Sequence, residues 1–309
     1  MASTAAPAST VPAFGRPSLD WRGAIFHGLL LFSLLFALVI LLTLVADILG
    51  RAWPVLSERG TDILTRPTSS QPGRAGVVQG IFGTGMMALF VAVFAFPIGI
   101  MTAIYLEEYA PDNRLTRFIA LNIRNLAGVP SVVYGLLGLT VFVAVVDLLD
   151  GDGNGRSLLS GGLTLGVLVL PIVIITAAEA IRAVPRTLRE AGFGVGASRW
   201  EVTRQLVLPS AAPGILTGTV LALSRALGET APLILAGAVL GGFSTGNKDI
   251  VEQIFGRYTV LPVTVFDWAR RPQADFRELT AAAIVVLLVI TLLANAIAIV
   301  LRNRFERRW

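Results

Sequence analysis

Long apolar runs alternate with short polar segments along this chain, and six of the runs are long enough to be read as membrane-crossing helices. The first, residues 25–46, is closed by Asp47 and would measure about 33 Å as a helix, enough for a bilayer core. A polar loop with Pro54, Pro67 and Pro72 follows to residue 76. The second run, 77–106, exceeds one straight span. Gly80, Gly83 and Gly85 predict an interfacial piece first, and Pro97 a kink later. Residues 107–116 read as a polar turn. The third span, 118–146, is entered through Arg124 and Asn125, and the fourth, 162–181, contains Pro171. The fifth, 213–241, carries Arg225, Glu229 and Pro232, and a polar loop to residue 277 precedes the sixth, 279–301. The fold class is therefore an all-α membrane protein with six transmembrane helices.

Between the fourth and fifth runs lies a polar island, 190–209, with its own punctuation. Pro185 suits a first helical position, and RTLREAGF predicts a short helix ended by Gly194 and Gly196. Ser198 and Glu201 form a Ser-x-x-Glu capping box, so a second helix starts at Arg199. It carries Trp200, Leu206 and Val207 and is expected to end at Pro209. Two short helices at an angle make a rigid knob that can transmit force. An ordinary amphipathic loop fits the same residues.

Composition narrows the function classes. Of 309 residues, 54% are hydrophobic and only 15% charged, where a soluble domain carries about 25%. No cysteine is present, which excludes disulfides and thiolate metal sites, and His27 is the single histidine. The net charge of +5 rests on arginines spread over the loops, with no stripe for nucleic acid. There is no phosphate-binding G-x-x-x-x-G-K-[ST] sequence, and the one lysine is Lys248. GxSxG, HExxH and paired acid/base sets are absent, so no catalytic site, metal or cofactor is expected in this chain. DLLDGDGNGRS, beginning at Asp147, lacks the closing Glu of a calcium loop and reads as a solvated turn. Residues 1–20, rich in Ala, Pro, Ser and Thr, read as disordered. With six spans both ends share a side. That side, with the 107–117 turn and the island, holds 13 arginines against 10 basic residues opposite, so both termini and the island are placed in the cytoplasm.

Charges inside the apolar runs are the candidate chemistry. Arg225 and Glu229 stand at i and i+4, near mid-depth, where a charge must face protein or water. Pro232 deprives the Gly228 carbonyl of its partner and weakens the helix beside them. They suit a substrate path or gate, or else a self-neutralising pair that locks two helices. Glu179 and Arg182 stand at i and i+3 near the cytoplasmic end of the fourth span, either lining an exit or snorkelling to the interface. Arg124 invites the same two readings. Arginines along one channel would suit a tetrahedral oxyanion.

EAGFGVGASRWEVTRQLVLP resembles the EAA motif of binding-protein-dependent ABC importer permeases. Glu190, Ala191, Gly196, Leu208 and Pro209 fall on its pattern, while Gly192 replaces an Ala and Leu206 an Ile. IYLEEYAPDNRLTRF (104–118), NLAGVPSVVYGLLG (125–138), AEAIRAVPRTLREA (178–191) and SRALGETAPLILAGA (224–238) resemble PstA-type permeases of the phosphate importer. The resemblance covers roughly 75–305. It implies a MetI-like fold and a coupling loop at 185–209, Trp200 included, that docks on an ATPase subunit. It also implies translocation charges at Arg225, Glu229 and Arg182. The implied organisation is a cytoplasmic tail (1–22), a first helix with an extracytoplasmic loop (23–75) and a permease core (76–305). The implied partners are a second, PstC-like permease, two PstB-like ATP-binding subunits, a PstS-like extracytoplasmic phosphate-binding protein and membrane lipid, with the chain in the plasma membrane and ATP hydrolysis elsewhere. A permease for sulfate or molybdate is the near alternative. A secondary transporter or channel is the distant one.

Overall fold

The computed structural model describes residues 21–150, 155–241 and 250–305. The tail read as disordered therefore lies outside the described residues, except for Trp21 and Arg22, which already belong to the first helix. The chain divides into two units, residues 1–47 and 48–309.

The helices that matter for the site are α1 (Trp21–Arg59), α2 (Val78–Tyr109), α3 (Arg114–Ala127), α4 (Ser131–Leu149) and α5 (Leu158–Arg182). They continue as α6 (Arg186–Gly194), α7 (Arg199–Gly228), α8 (Ala231–Leu235), α9 (Leu261–Ala269) and α10 (Asp275–Phe305). Among the described residues six helices are long and apolar enough to cross a membrane: α1, α2, α4, α5, α7 and α10. In the first unit every residue of 21–44 is exposed.

Several expected boundaries move. The loop assigned from Asp47 is helical to Arg59, because Ile48, Ala52, Val55 and Leu56 keep the helical period and pack into a core with Ile63, Val77, Trp268, Phe276 and Leu279. The second run is one helix from Val78, with Gly80 and Gly83 buried, rather than an interfacial piece followed by a span. Pro209 was expected to end its helix, yet α7 runs through it, and Pro97, where a kink was expected, lies inside the continuous α2. In each case a π-helical turn, 91–95 or 203–207, ends two residues before the proline. Opening the turn by one residue moves the offending carbonyl off the ring. The third span is broken. Asn113 caps α3 by accepting from the Thr116 amide at 2.8 Å, and the helix stops at Gly128. The extended Pro130 then starts α4.

α5 is the centre of the second unit. A Ser157–Ser160 capping box starts it, and most of its faces are buried. Lipid offers no hydrophobic force between helices, so small residues that let backbones approach do the work. A Cβ added to Gly99 of α2 would lie 2.7 Å from Val173, and one added to Gly214 of α7 would lie 2.7 Å from Ala180. Gly138 of α4 and Gly218 of α7 abut Thr164 and Thr176 in the same way.

Candidate functional site

The knob between α5 and α7 forms largely as its sequence predicts. Pro185 caps α6 rather than entering it, and α6 runs through Gly194. Gly196 turns the chain at φ +84°, a left-handed conformation that an L side chain resists, and nothing crowds its Cβ position. The Ser198–Glu201 box closes in both directions, with the Ser198 amide 2.8 Å from the Glu201 carboxylate. α7 then begins at Arg199 and continues as the fifth span, so the knob's second helix does not end at Pro209. Glu190, Ala191, Gly196, Trp200 and Pro209 are exposed, whereas Leu208 is half-buried under the knob. Phe193, Trp200 and Val195, the last 85% exposed, give this surface an apolar face.

What fastens the knob to the spans was not read from the sequence. The last turn of α2 is π-helical, 105–109, and three consecutive residues in it meet three arginines. Glu107 takes Arg182, with Nε 3.2 Å from Oε2. Glu108 takes Arg189, and Tyr109 lies under the Arg199 guanidinium at 5.8 Å. The two ion pairs differ in weight. Arg182 is 55% exposed, so its pair is solvated and worth about 1 kcal/mol at most. Arg189 and Glu108 are 19% and 9% exposed, and removing one partner strands the other at a cost of about 3–5 kcal/mol. The two acids were visible only as a polar turn, and their partners lie 75 and 81 residues away.

The inner charges fall at two levels. A cavity of about 450 Å³ lies between α3, α5 and the end of α2 and brings together Glu107, Arg124, Glu179, Arg182 and Arg186. Arg182 pairs with Glu107, not with Glu179, which reaches it only electrostatically. At the rim the Arg117 guanidinium bonds Asp112 and holds its carboxyl below the usual carboxylate range, but both are well solvated. Arg225 and Glu229 do not line this cavity. The contacts of Gly214 and Gly218 set α7 antiparallel to α5, which places Arg225 level with Val169, midway along α5. Arg182 is then roughly 20 Å away along the axis.

Around Arg225 the fifth span departs from expectation. α7 stops at Gly228, and Glu229 has extended backbone, φ −74° and ψ 129°. Pro232 opens the separate helix α8 and does not disturb a continuous one. The apolar run of 231–240 hides this break from a hydropathy reading. The ion pair survives, Nε to Oε1 at 3.3 Å, with Arg225 46% and Glu229 14% exposed. It joins a helix to its own C-cap residue. The break of the third span is its neighbour. Gly135 of α4 packs on the Pro232 backbone, and Tyr134 is within electrostatic reach of Arg225. Two interrupted helices thus meet beside one arginine at mid-depth. Among the described residues no group of His, Asp or Glu is arranged to hold a metal ion.

A multi-pass transport component of the inner membrane is the class that this fold defines. The chain belongs to the family described as binding-protein-dependent transport system inner membrane component, whose model matches residues 95–309. It is a family of transport components, not of catalytic subunits. A probable ABC transporter permease protein, YqgH of Bacillus subtilis (strain 168), is 36% identical over 68% of this chain and 61% of its own length, so the chain spans under two thirds of that relative. The phosphate transport system permease protein PstA 1 of Mycobacterium tuberculosis (strain CDC 1551 / Oshkosh) is 32% identical over 87% of this chain and 84% of its own. The fold matches that of a permease chain in a bacterial alginate ABC transporter bound to its periplasmic protein. The TM-score is 0.62 at 17% identity, covering 93% of this chain and 97% of that one.

Proposed function

We propose that this chain is a permease subunit of an ATP-driven importer of inorganic phosphate. The observation that carries the reading is Arg225 at the meeting of two broken helices. Helix interruptions at mid-depth are where transporters bind ions, because freed backbone groups and helix ends face a solvated path. The N-terminus of the α4 segment adds partial positive charge on the same level. A forked guanidinium suits a tetrahedral oxyanion, and Glu229 neutralises it when no anion is present. Relatives named as phosphate permeases support phosphate as the anion.

In this reading residues 76–305 are the permease core, 185–209 the coupling loop, 23–75 an added helix and loop, and 1–22 a tail. The termini and the knob face the cytoplasm. The exposed surface of Glu190, Ala191, Phe193 and Trp200 receives one of two ATP-binding subunits, and hydrolysis occurs there. A second, PstC-like permease completes the path, and an extracytoplasmic phosphate-binding protein delivers the substrate. Glu179 and Arg182 line the cytoplasmic exit. Sulfate or molybdate is the second reading, because the same guanidinium chemistry accepts them. Uptake of radiolabelled phosphate and of sulfate into proteoliposomes of the co-purified complex, with and without ATP, tests it. ATP-dependent phosphate uptake that sulfate does not compete is expected. Preferential sulfate uptake, or uptake without ATP, overturns it.

A further inference from the structure

We propose that Glu108 and Arg189 are positioning residues that make the knob, α5 and α2 move as one body; this rests on the reading that an ATPase docks on the knob. Arg189 Nη1 donates to the Val184 carbonyl at 2.7 Å, and Nη2 donates to the Ile181 carbonyl at 2.9 Å and to Glu108 Oε1 at 2.8 Å. Nε donates to the same carboxylate oxygen at 3.1 Å. One guanidinium of α6 therefore caps the C-terminal end of α5 and grips the last turn of α2. Both roles suit a planar fork of five donors near a helix C-terminus, and neither suits a lysine.

The other polar fastenings are weak. Arg182–Glu107 is solvated, and Arg199 over Tyr109 is a single cation–π contact. The covalent link from α5 through residues 183–185 passes the knob's motion to α5, and α2 is coupled to α5 by its packing at Gly99 and Val173. Ala103 of α2 shares a buried apolar cluster with Ala177 and Ile181 of α5 and with Val202 and Val207 of α7, and the enclosed Glu108–Arg189 pair adds the directional polar link that fixes the end of α2 to the knob. Without this pair only non-directional apolar packing opposes a slide of the knob past the end of α2.

The chain has no cysteine, so paired labels can be placed without background. In the complete complex, spin labels at T187C on α6 and Y105C on α2 report their separation with and without nucleotide. The expected result is one unchanged distance in both states. With Glu108→Gln or Arg189→Met the distance distribution shifts or broadens on nucleotide binding, and the ATP hydrolysed per phosphate imported rises tenfold or more. The double variant is no worse than either single one, because both remove the same contact. Glu108→Gln is nearly isosteric and keeps the measurement available if Arg189→Met does not assemble. A T187C–Y105C distance that already changes in the unsubstituted chain, or an unaltered ATP-to-phosphate ratio in the assembled Glu108→Gln complex, overturns the proposal. Absence of ATP-driven uptake before any Glu108 or Arg189 substitution would instead overturn the transport reading, while the label distance still decides the clamp.

Discussion

Gly192 and Leu206 occupy one another's space where α6 folds against the start of α7. A Cβ on Gly192 would lie 2.8 Å from Leu206 Cδ1 and 2.8 Å from a methyl of Val202. These are the two positions at which this chain departs from the EAA pattern, with Gly for Ala and Leu for Ile. The departures compensate: the space of the missing methyl on one side of the knob is taken by a γ-branched leucine methyl, together with Val202, on the other. Gly192→Ala is expected to destabilise the knob by about 1 kcal/mol, the low end for overpacking, since the obstructing atoms are ends of side chains. Adding Leu206→Ile should recover most of it. The rate of proteolysis within residues 185–209 measures both, and equal rates in all three chains would refute the compensation.

Gly196 tests a different cause. Its Cβ position is open, so the cost of a side chain comes from φ +84° alone. Gly196→Ala should cost about 1–2 kcal/mol, and Gly196→Asn less, because Asn tolerates the left-handed region. Amide exchange of residues 193–198 in the assembled complex is the readout. Faster exchange in the order Ala, Asn, Gly is expected, and indistinguishable rates would mean that the turn is not held at this conformation.

The knob was legible because its determinants are local. The Ser198–Glu201 box and the Gly196 turn need only their own neighbours, and both form. Element boundaries were legible only where polarity changes with them. Glu229–Thr230 and Gly128–Pro130 break helices inside apolar sequence, so a hydropathy pattern continues across them. Pro209, which reads as a stop, is absorbed by a π-turn that no local signal announces. Helix α1 outruns its apolar stretch because Ala52 and Val55 bury against α9 and α10, a tertiary reason. The Arg189–Glu108 clamp joins residues 81 apart, which no spacing rule reaches.

Ser224, the residue before Arg225, and Asn295 tie α7 to α10. The Ser224 hydroxyl lies 2.6 Å from Asn295 Oδ1. Inter-helix hydrogen bonds within membranes are worth about 0.6 kcal/mol on average. Asn295→Leu is therefore expected to lower the stability of the detergent-solubilised chain by roughly that amount, ~0.6 kcal/mol, while leaving assembly unchanged. A thermal-unfolding series of Ser224→Ala, Asn295→Leu and the double variant measures it, and strictly additive effects would show that the two side chains do not interact.

Arg225→Ala should abolish phosphate uptake and leave the complex assembled. The pair with Glu229 lies within one segment, so its loss breaks no inter-helix ion pair, and the carboxylate it leaves behind is the element that repels an incoming anion. Arg225→Lys keeps the charge but not the fork and should retain a small fraction of uptake, of order one tenth or less. Glu229→Gln leaves the guanidinium unneutralised. It is expected to bind the anion more tightly and release it more slowly, lowering the maximal rate and the half-saturating concentration together. Initial rates over a range of phosphate concentrations separate these cases. An Arg225→Ala complex that transports at the normal rate would remove Arg225 from the path, and one that fails to assemble would assign it to structure instead.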